Sequence, residues 1–251
     1  IPATLSRDFV PVDPEDAELT PAQRTWITNY IAQFEAALSG PNFADPLVGY
    51  EKFIDVDAWI DYHIMTELTY NVDEWYLSTY LSKDRGGKLT LGPFWDFDRS
   101  LGNTDQAGGA GTTGWWSDAL VSFFAAYNNQ PPEQVVEYPW FRRLFQDPNF
   151  YSRYVDRRTE LRRTALSEAN IFATIDQLAA ERLESQVRNF QRWNTLNTII
   201  APSPLAFPTY EEHVANLKSW IYGRLTWLDS QYTTPPELTP GGGLVTPGTQ
   251  V

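Results

Sequence analysis

The 251 residues contain no cysteine. Disulfides, thiolate metal sites and cysteine nucleophiles are therefore excluded, while the compartment stays open. Histidine occurs twice, as His63 and His213 on predicted helices. No G-x-S-x-G elbow accompanies either, so a serine hydrolase is disfavoured and packed or surface histidines are the default reading. No apolar run approaches the ~20 residues of a membrane helix, and no membrane insertion is expected. A basic footprint is also missing, since the net charge is −13. That argues against nucleic acid or an anionic bilayer as the main partner. No signal peptide is recognised, and the chain opens with Ile1 rather than Met, which reads as an internal cut or a processed end.

What is present is aromatic. Phe, Trp and Tyr make up 15% of the chain, with ten tryptophans, and 42% of residues are hydrophobic. A substantial core follows, with most rings lining it.

Residues 1–19 are rich in proline and acid and read as an incoming extended segment. Thr20, Pro21 and Gln23 then form a helix start, and Ile27, Ile31, Phe34 and Leu38 repeat at helical spacing until Gly40-Pro41. A second helix is predicted from Asp55, with Ile60, Ile64 and Leu68 on its stripe. Residues 75–92 read as a β-hairpin around Asp84-Arg85-Gly86-Gly87. Residues 99–135 hold five of the fifteen glycines and read as a long irregular loop. Helices follow from Asp147-Pro148, through Phe172 to Phe190, and from the capping box Thr209/Glu212. The tail at 233–251 is Pro-, Gly- and Thr-rich, and predicts a linker to a further domain. The fold class expected is mainly α with one small hairpin, in one folded unit over 20–232. A parallel α/β sheet is disfavoured, because strands do not alternate with helices.

The stretch Gly92 to Asn103, GPFWDFDRSLGN, carries the chemistry. Asp96 and Asp98 flank Phe97, and carboxylates two residues apart at a strand end can converge on a hard cation such as Mg²⁺. Asp73 lies twenty-three residues earlier, where the second helix gives way to the hairpin. An Asp after a helix, a hairpin, then Asp-Phe-Asp is the layout of a protein kinase's larger lobe. Taken alone the pattern is open, since Asp-x-Asp in a loop is more often a turn or capping device.

The segment NVDEWYLSTYLSKDRGGKLTLGPFWDFDRSLGN is similar to the signature of the spore-coat CotH kinase family. The segments YPWFRRLFQDPNFYSRYVDRRTELR, RNFQRW and LKSWIYGRLTWLD also resemble it, so the likeness runs from about residue 15 to 232. The resemblance implies an atypical protein kinase using ATP with Mg²⁺ or Mn²⁺ to phosphorylate Ser or Thr of secreted, cell-surface or spore-surface proteins. It places the catalytic Asp at Asp73 and the metal-binding Asp at Asp96, with Asp98 in place of the usual glycine as a second ligand or support. Ser78 falls where ordinary kinases carry a metal-binding Asn. Asn71, Trp95, Arg99 and Asn103 flank the motif as supporting residues.

A kinase also needs a smaller lobe with a phosphate-covering loop, a nucleotide lysine and its partner Glu. The four lysines, Lys52, Lys83, Lys88 and Lys218, stand in no such context. The smaller lobe is therefore expected to be missing, and the isolated chain to bind ATP poorly or not at all. The alternative function is a non-catalytic scaffold for a coat, wall or matrix partner, and a structural Ca²⁺ site at Asp96 and Asp98 is a third. Gly109-Ala-Gly111-Thr-Thr-Gly114 matches G-x-G-x-x-G formally but follows the acidic motif, so it reads as a flexible segment rather than a phosphate loop. Ten of the fifteen arginines fall between Arg142 and Arg192, and read as a solvated helical face laced with Asp156, Glu160 and Glu168 rather than an acidic-substrate dock.

Overall fold

Thr20 opens the first helix as its neighbours dictate. Its hydroxyl accepts from the Gln23 N–H, the Gln23 side chain accepts from the Thr20 N–H, and Pro21 occupies the first turn. The computed structural model describes residues 1–3, 8–75, 77–127, 129, 131 and 139–232. Among these it forms eight helices: α1 (Pro21–Ser39), α2 (Val56–Thr69), α3 (Trp116–Tyr127), α4 (Pro139–Leu144), α5 (Pro148–Arg163), α6 (Glu168–Ala180), α7 (Leu183–Arg192) and α8 (Tyr210–Ser230). A two-stranded antiparallel hairpin, β1 (Leu81–Ser82) and β2 (Thr90–Leu91), completes a mainly α architecture. Residues 8–19 are non-helical, as expected, although 12–18 run through turns. The predicted linker, 233–251, lies outside the described residues.

The centre is α2. Asp55 caps it by accepting from the Ala58 N–H, and ten of its fourteen residues are buried, including the predicted Ile60, Ile64 and Leu68. A helix buried on all but one narrow edge, here that of Asp57 and Asp61, belongs inside a domain. Around it pack α3, α5, α8 and β2, while α4 lies on α1 and α6 on α8. Trp59 meets Phe34, Trp140 and Phe141 with ring centroids 5.4–5.5 Å apart. Burying a large apolar side chain fully contributes about 1.5–3 kcal/mol, so this ring cluster anchors the fold.

The hairpin is shorter than predicted. Leu81 pairs with Leu91 and Ser82 with Thr90, around a turn at the expected Asp84–Gly87. Trp75 leaves the strand because its backbone is left-handed (φ 70°) and its ring packs against Phe141 and Tyr62, at 4.8 and 5.6 Å. Tertiary packing here overrides the aromatic residue's β preference. Leu89 fixes the hairpin to the entry of α2. Its N–H donates to Phe53, and its carbonyl accepts from the Asp55 N–H and from Trp59 Nε1.

Three other expectations need correction. Residues 99–135 are not one loop, because α3 occupies Trp116–Tyr127. Its start carries no local capping signature. Instead the buried Glu67 carboxylate accepts from the Trp116 and Ser117 N–H groups, at 2.8 and 3.0 Å. The periodic run from Phe172 to Phe190 is two helices, α6 and α7, broken at Glu181-Arg182. The arginine-rich face is laced with acids as expected, Arg157 pairing with Glu160 within α5, but most partners come from other elements: Arg153 pairs with Glu51 and Asp57, Arg157 also with Asp61, and Arg158 and Arg162 with Asp229.

Candidate active site

Two turns meet at the exit of α2. Tyr70 ends the helix in a left-handed conformation (φ 50°), which redirects the chain into Asn71–Trp75. Asn71 is fully buried. Its Oδ1 accepts from the Asp73 N–H at 3.3 Å, and its Nδ2 lies 3.4 Å from both Glu74 Oε1 and the Asp96 carbonyl. Asn71 therefore holds Asp73 and ties it to the acidic motif after the hairpin.

Asp96 also sits in left-handed backbone space (φ 60°). Asp is among the few residues that tolerate this, and such positions concentrate where a side chain must be aimed. The following loop is fastened on both sides. Ser100 Oγ donates to the Phe97 carbonyl, Asn103 Nδ2 donates to the Asp98 carbonyl at 2.7 Å, and the Leu101 N–H donates to Thr69 at the end of α2.

Asp73 is partly buried and forms a loose ion pair with Arg99, 3.5 Å from Nη1 to Oδ1. Burial pushes its carboxyl above the ordinary carboxylate range; Arg99 opposes this, while the negative charges of Asp98 and Asp96 reinforce it. Asp73 is thus coupled to both acids of the motif. Asp96 and Asp98 are exposed, and among the described residues neither carboxylate has a hydrogen-bonding or ionic partner.

The model of the family described as CotH kinase protein matches residues 7–228. The chain belongs to the CotH kinase family. No curated protein and no solved structure was found to match it.

A kinase family carries the expectation of ATP and a divalent metal. Among the described residues of this CotH kinase chain, no group of three or more His, Cys, Asp or Glu could hold a metal. Ca²⁺ takes six to eight oxygens, whereas Mg²⁺ in phosphoryl-transfer sites typically uses one or two carboxylates plus waters and phosphates. The donor set Asp96 plus Asp98 fits the second pattern.

Of the residues singled out in the sequence, Asn71, Asp73, Asp96, Asp98, Arg99 and Asn103 are linked in one constellation by these contacts. Trp95 stands at its rim, exposed and edge-on to Tyr80 at 6.2 Å. Ser78 instead lines a cleft of about 970 Å³ between the N-terminal segment, α1 and the hairpin. Among the described residues it makes no hydrogen bond.

The sequence does not single out Glu74. It is fully buried, accepts from Tyr62 Oη at 2.6 Å and from Thr79 Oγ1 at 3.1 Å, and its main-chain carbonyl accepts from Trp116 Nε1. Burial pushes its carboxyl up to about 7. The Glu67–Arg224 pair beneath the site escaped notice too, both side chains being at most 1% exposed. An acid between Ile64 and Leu68, off the Asp57/Asp61 edge of the helix, is the signal that finds Glu67. The G-x-G-x-x-G segment is held at two points. Its Ala110 carbonyl accepts from Trp220 Nε1 and its Gly114 carbonyl from Arg224, so its backbone is pinned to α8. His63 is buried between Tyr154 and Phe141, and burial lowers its pKa to about 3, consistent with a packing role.

Proposed function

We propose that this chain carries the phosphoryl-transfer residues of a protein kinase that moves the γ-phosphate of ATP to a Ser or Thr hydroxyl on a secreted or surface protein. The observation that carries the reading is the convergence of a partly buried Asp73 with two unpartnered carboxylates, Asp96 and Asp98, joined through Asn71. Asp96 and Asp98 are the residues that would hold Mg²⁺ or Mn²⁺, which supplies neutralisation of phosphate charge when bound.

Asp73 is the group that accepts the hydroxyl proton. Burial raises its pKa, which strengthens it as a base, and Arg99 opposes that rise. Asn71 and the backbone bonds of Asn103 and Leu101 hold the two turns in fixed relation, so positioning supplies much of the rate. The net charge of −13 disfavours nucleic acid as the acceptor. A smaller lobe supplying the phosphate-covering loop and nucleotide lysine belongs to the same proposal.

The test is transfer of labelled γ-phosphate by the intact protein containing this chain, with Asp73→Ala and Asp96→Ala beside it. Each variant should lose about 10²–10⁴-fold in rate with the fold retained. Absence of transfer by the unaltered protein on generic Ser/Thr acceptors would transfer the assignment to a non-catalytic scaffold.

A further inference from the structure

Glu74 follows Asp73 in the chain and is fully buried, an acid that the phosphotransfer chemistry leaves unused. Its two carboxylate oxygens have different partners. Oε2 accepts from the Tyr62 hydroxyl at 2.6 Å and from the Thr79 hydroxyl at 3.1 Å. Thr79 Oγ1 in turn accepts from the Trp75 N–H at 2.8 Å, which leaves its own proton for Glu74. Oε1 faces Asn71 Nδ2 at 3.4 Å, its one hydrogen-bond partner among the described residues. The Glu74 N–H also donates to the Asn71 carbonyl at 3.2 Å, closing the turn that carries Asp73.

An ionised carboxylate only accepts, whereas an amide side chain has an accepting end and a donating end. The way Asn71 points is therefore set by its neighbours. Glu74 Oε1 and the Asp96 carbonyl are both acceptors, and both meet Nδ2 at 3.4 Å. Nδ2 carries two protons, one for each. The oxygen is left for the Asp73 N–H, at 3.3 Å. Turning the amide over would set Oδ1 against two acceptors and Nδ2 against a donor, so all three contacts would be lost together. Glu74 reaches the acidic motif by a second route as well. Tyr62, which it fixes, stacks on Phe94 at 5.1 Å, two residues before Asp96.

The geometry points to Glu74 as a positioning residue: its carboxylate orients the Asn71 amide, and through that amide it places Asp73 and the Asp96 backbone for phosphoryl transfer. Fully buried, it has no surface to offer nucleotide or acceptor. Its part in the rate rests on the kinase reading above, whereas its hold on Asn71 does not.

The discriminating substitution is Glu74→Gln, which keeps the side chain's volume, so circular dichroism should match the parent. Two hydroxyl donors at Oε2 outweigh one longer amide contact at Oε1 in deciding how Gln lies. Its oxygen takes the Oε2 place and its NH₂ turns toward Asn71, where donor meets donor. The assay belongs at pH 8, above the value of about 7 to which burial pushes Glu74, where the carboxylate is mostly ionised. The intact protein with Glu74→Gln should lose at least about tenfold in kcat, with KM for ATP and for acceptor unchanged. Asn71→Ala/Glu74→Gln should be no slower than Asn71→Ala alone, because Glu74 acts through that amide. In the 251-residue chain, the side-chain ¹⁵N–¹H signals of Asn71, assigned by their loss in Asn71→Ala, should shift and exchange faster with solvent in Glu74→Gln. An amide unmoved in Glu74→Gln, an unchanged kcat, or losses that multiply in the double variant would each overturn the proposal. An unaltered protein without transfer, but with an amide that moves in Glu74→Gln, would instead remove the kinase reading and leave Glu74 as the group that orients Asn71.

Discussion

The side-chain amide of Asn71 and the carbonyl of Asp96 lie 3.4 Å apart, joining two turns separated by the whole hairpin. The same side chain accepts from the Asp73 N–H, so one buried amide ties both Asp73 and the first residue of the acidic motif. Asn71 is therefore the positioning residue on which the geometry most depends.

Replacing Asn71 with Ala removes this link and leaves buried polar groups unpaired. Phosphotransfer by the intact protein should fall by about 10²-fold, because misplacing catalytic groups by an ångström costs that much. Stability should fall by about 1–3 kcal/mol. Steady-state kinetics beside thermal unfolding check both; an unchanged kcat would show that Asp73 and Asp96 hold their places without the amide.

Arg99 lowers the pKa of Asp73 against the burial that raises it. Arg99→Ala should therefore move the acidic limb of the kcat/KM–pH profile to higher pH, since a base that is harder to ionise stays protonated further up the scale. Arg99→Lys keeps the charge and should hold the limb near its original place. A limb that does not move in Arg99→Ala would remove Asp73 from the titrating role.

Much of this arrangement is legible in the sequence, where the reason is local. Thr20, Asp55, Asp147 and Thr209 cap the helices their spacing predicts, because capping needs only groups within one turn. Asp73, Asp96 and Asp98 stand out through motif spacing. What escapes is set by distant partners. The start of α3 is capped from α2 by Glu67, Trp75 is drawn out of a strand by core rings, and the glycine segment is fixed by Trp220 and Arg224 from the last helix. Glu74 reads as an ordinary surface acid until Tyr62 and Thr79 close over it.

Glu74 has a folded pKa of about 7 against an ordinary 4.5. Below pH 4.5 it is protonated whether folded or not, and its contribution to stability is fully present. Between pH 4.5 and about 7 the unfolded chain releases the proton while the folded chain keeps it, so stability is lost as pH rises; above about 7 the difference is constant. The full span is on the order of 3 kcal/mol. Glu74→Gln does not titrate. Urea unfolding of both proteins from pH 4.5 to 8 should show the unaltered chain losing stability relative to the variant across that window, and parallel curves would refute the shifted carboxyl.

The Glu67–Arg224 pair is the last element that reaches the site. Arg224 is fully buried and donates to the Glu67 and Gly114 carbonyls, while Glu67 starts α3 and faces Arg224 across 3.6 Å. Burial drives Glu67 upward and Arg224 downward, and each opposes the shift of the other. Removing one member strands the other charge, so Arg224→Met should cost about 3–5 kcal/mol. In the double variant Glu67→Gln/Arg224→Met the loss should be smaller than the sum of the singles by about 0.5–3 kcal/mol, the coupling expected of residues in contact. Denaturant midpoints with unchanged m-values measure this. Additive losses would show that Arg224 works through its carbonyl bonds alone. Coupled losses would link the ion pair to the Asn71–Trp75 turn, because Trp116, at the helix start that Glu67 caps, also donates its Nε1 to the Glu74 carbonyl.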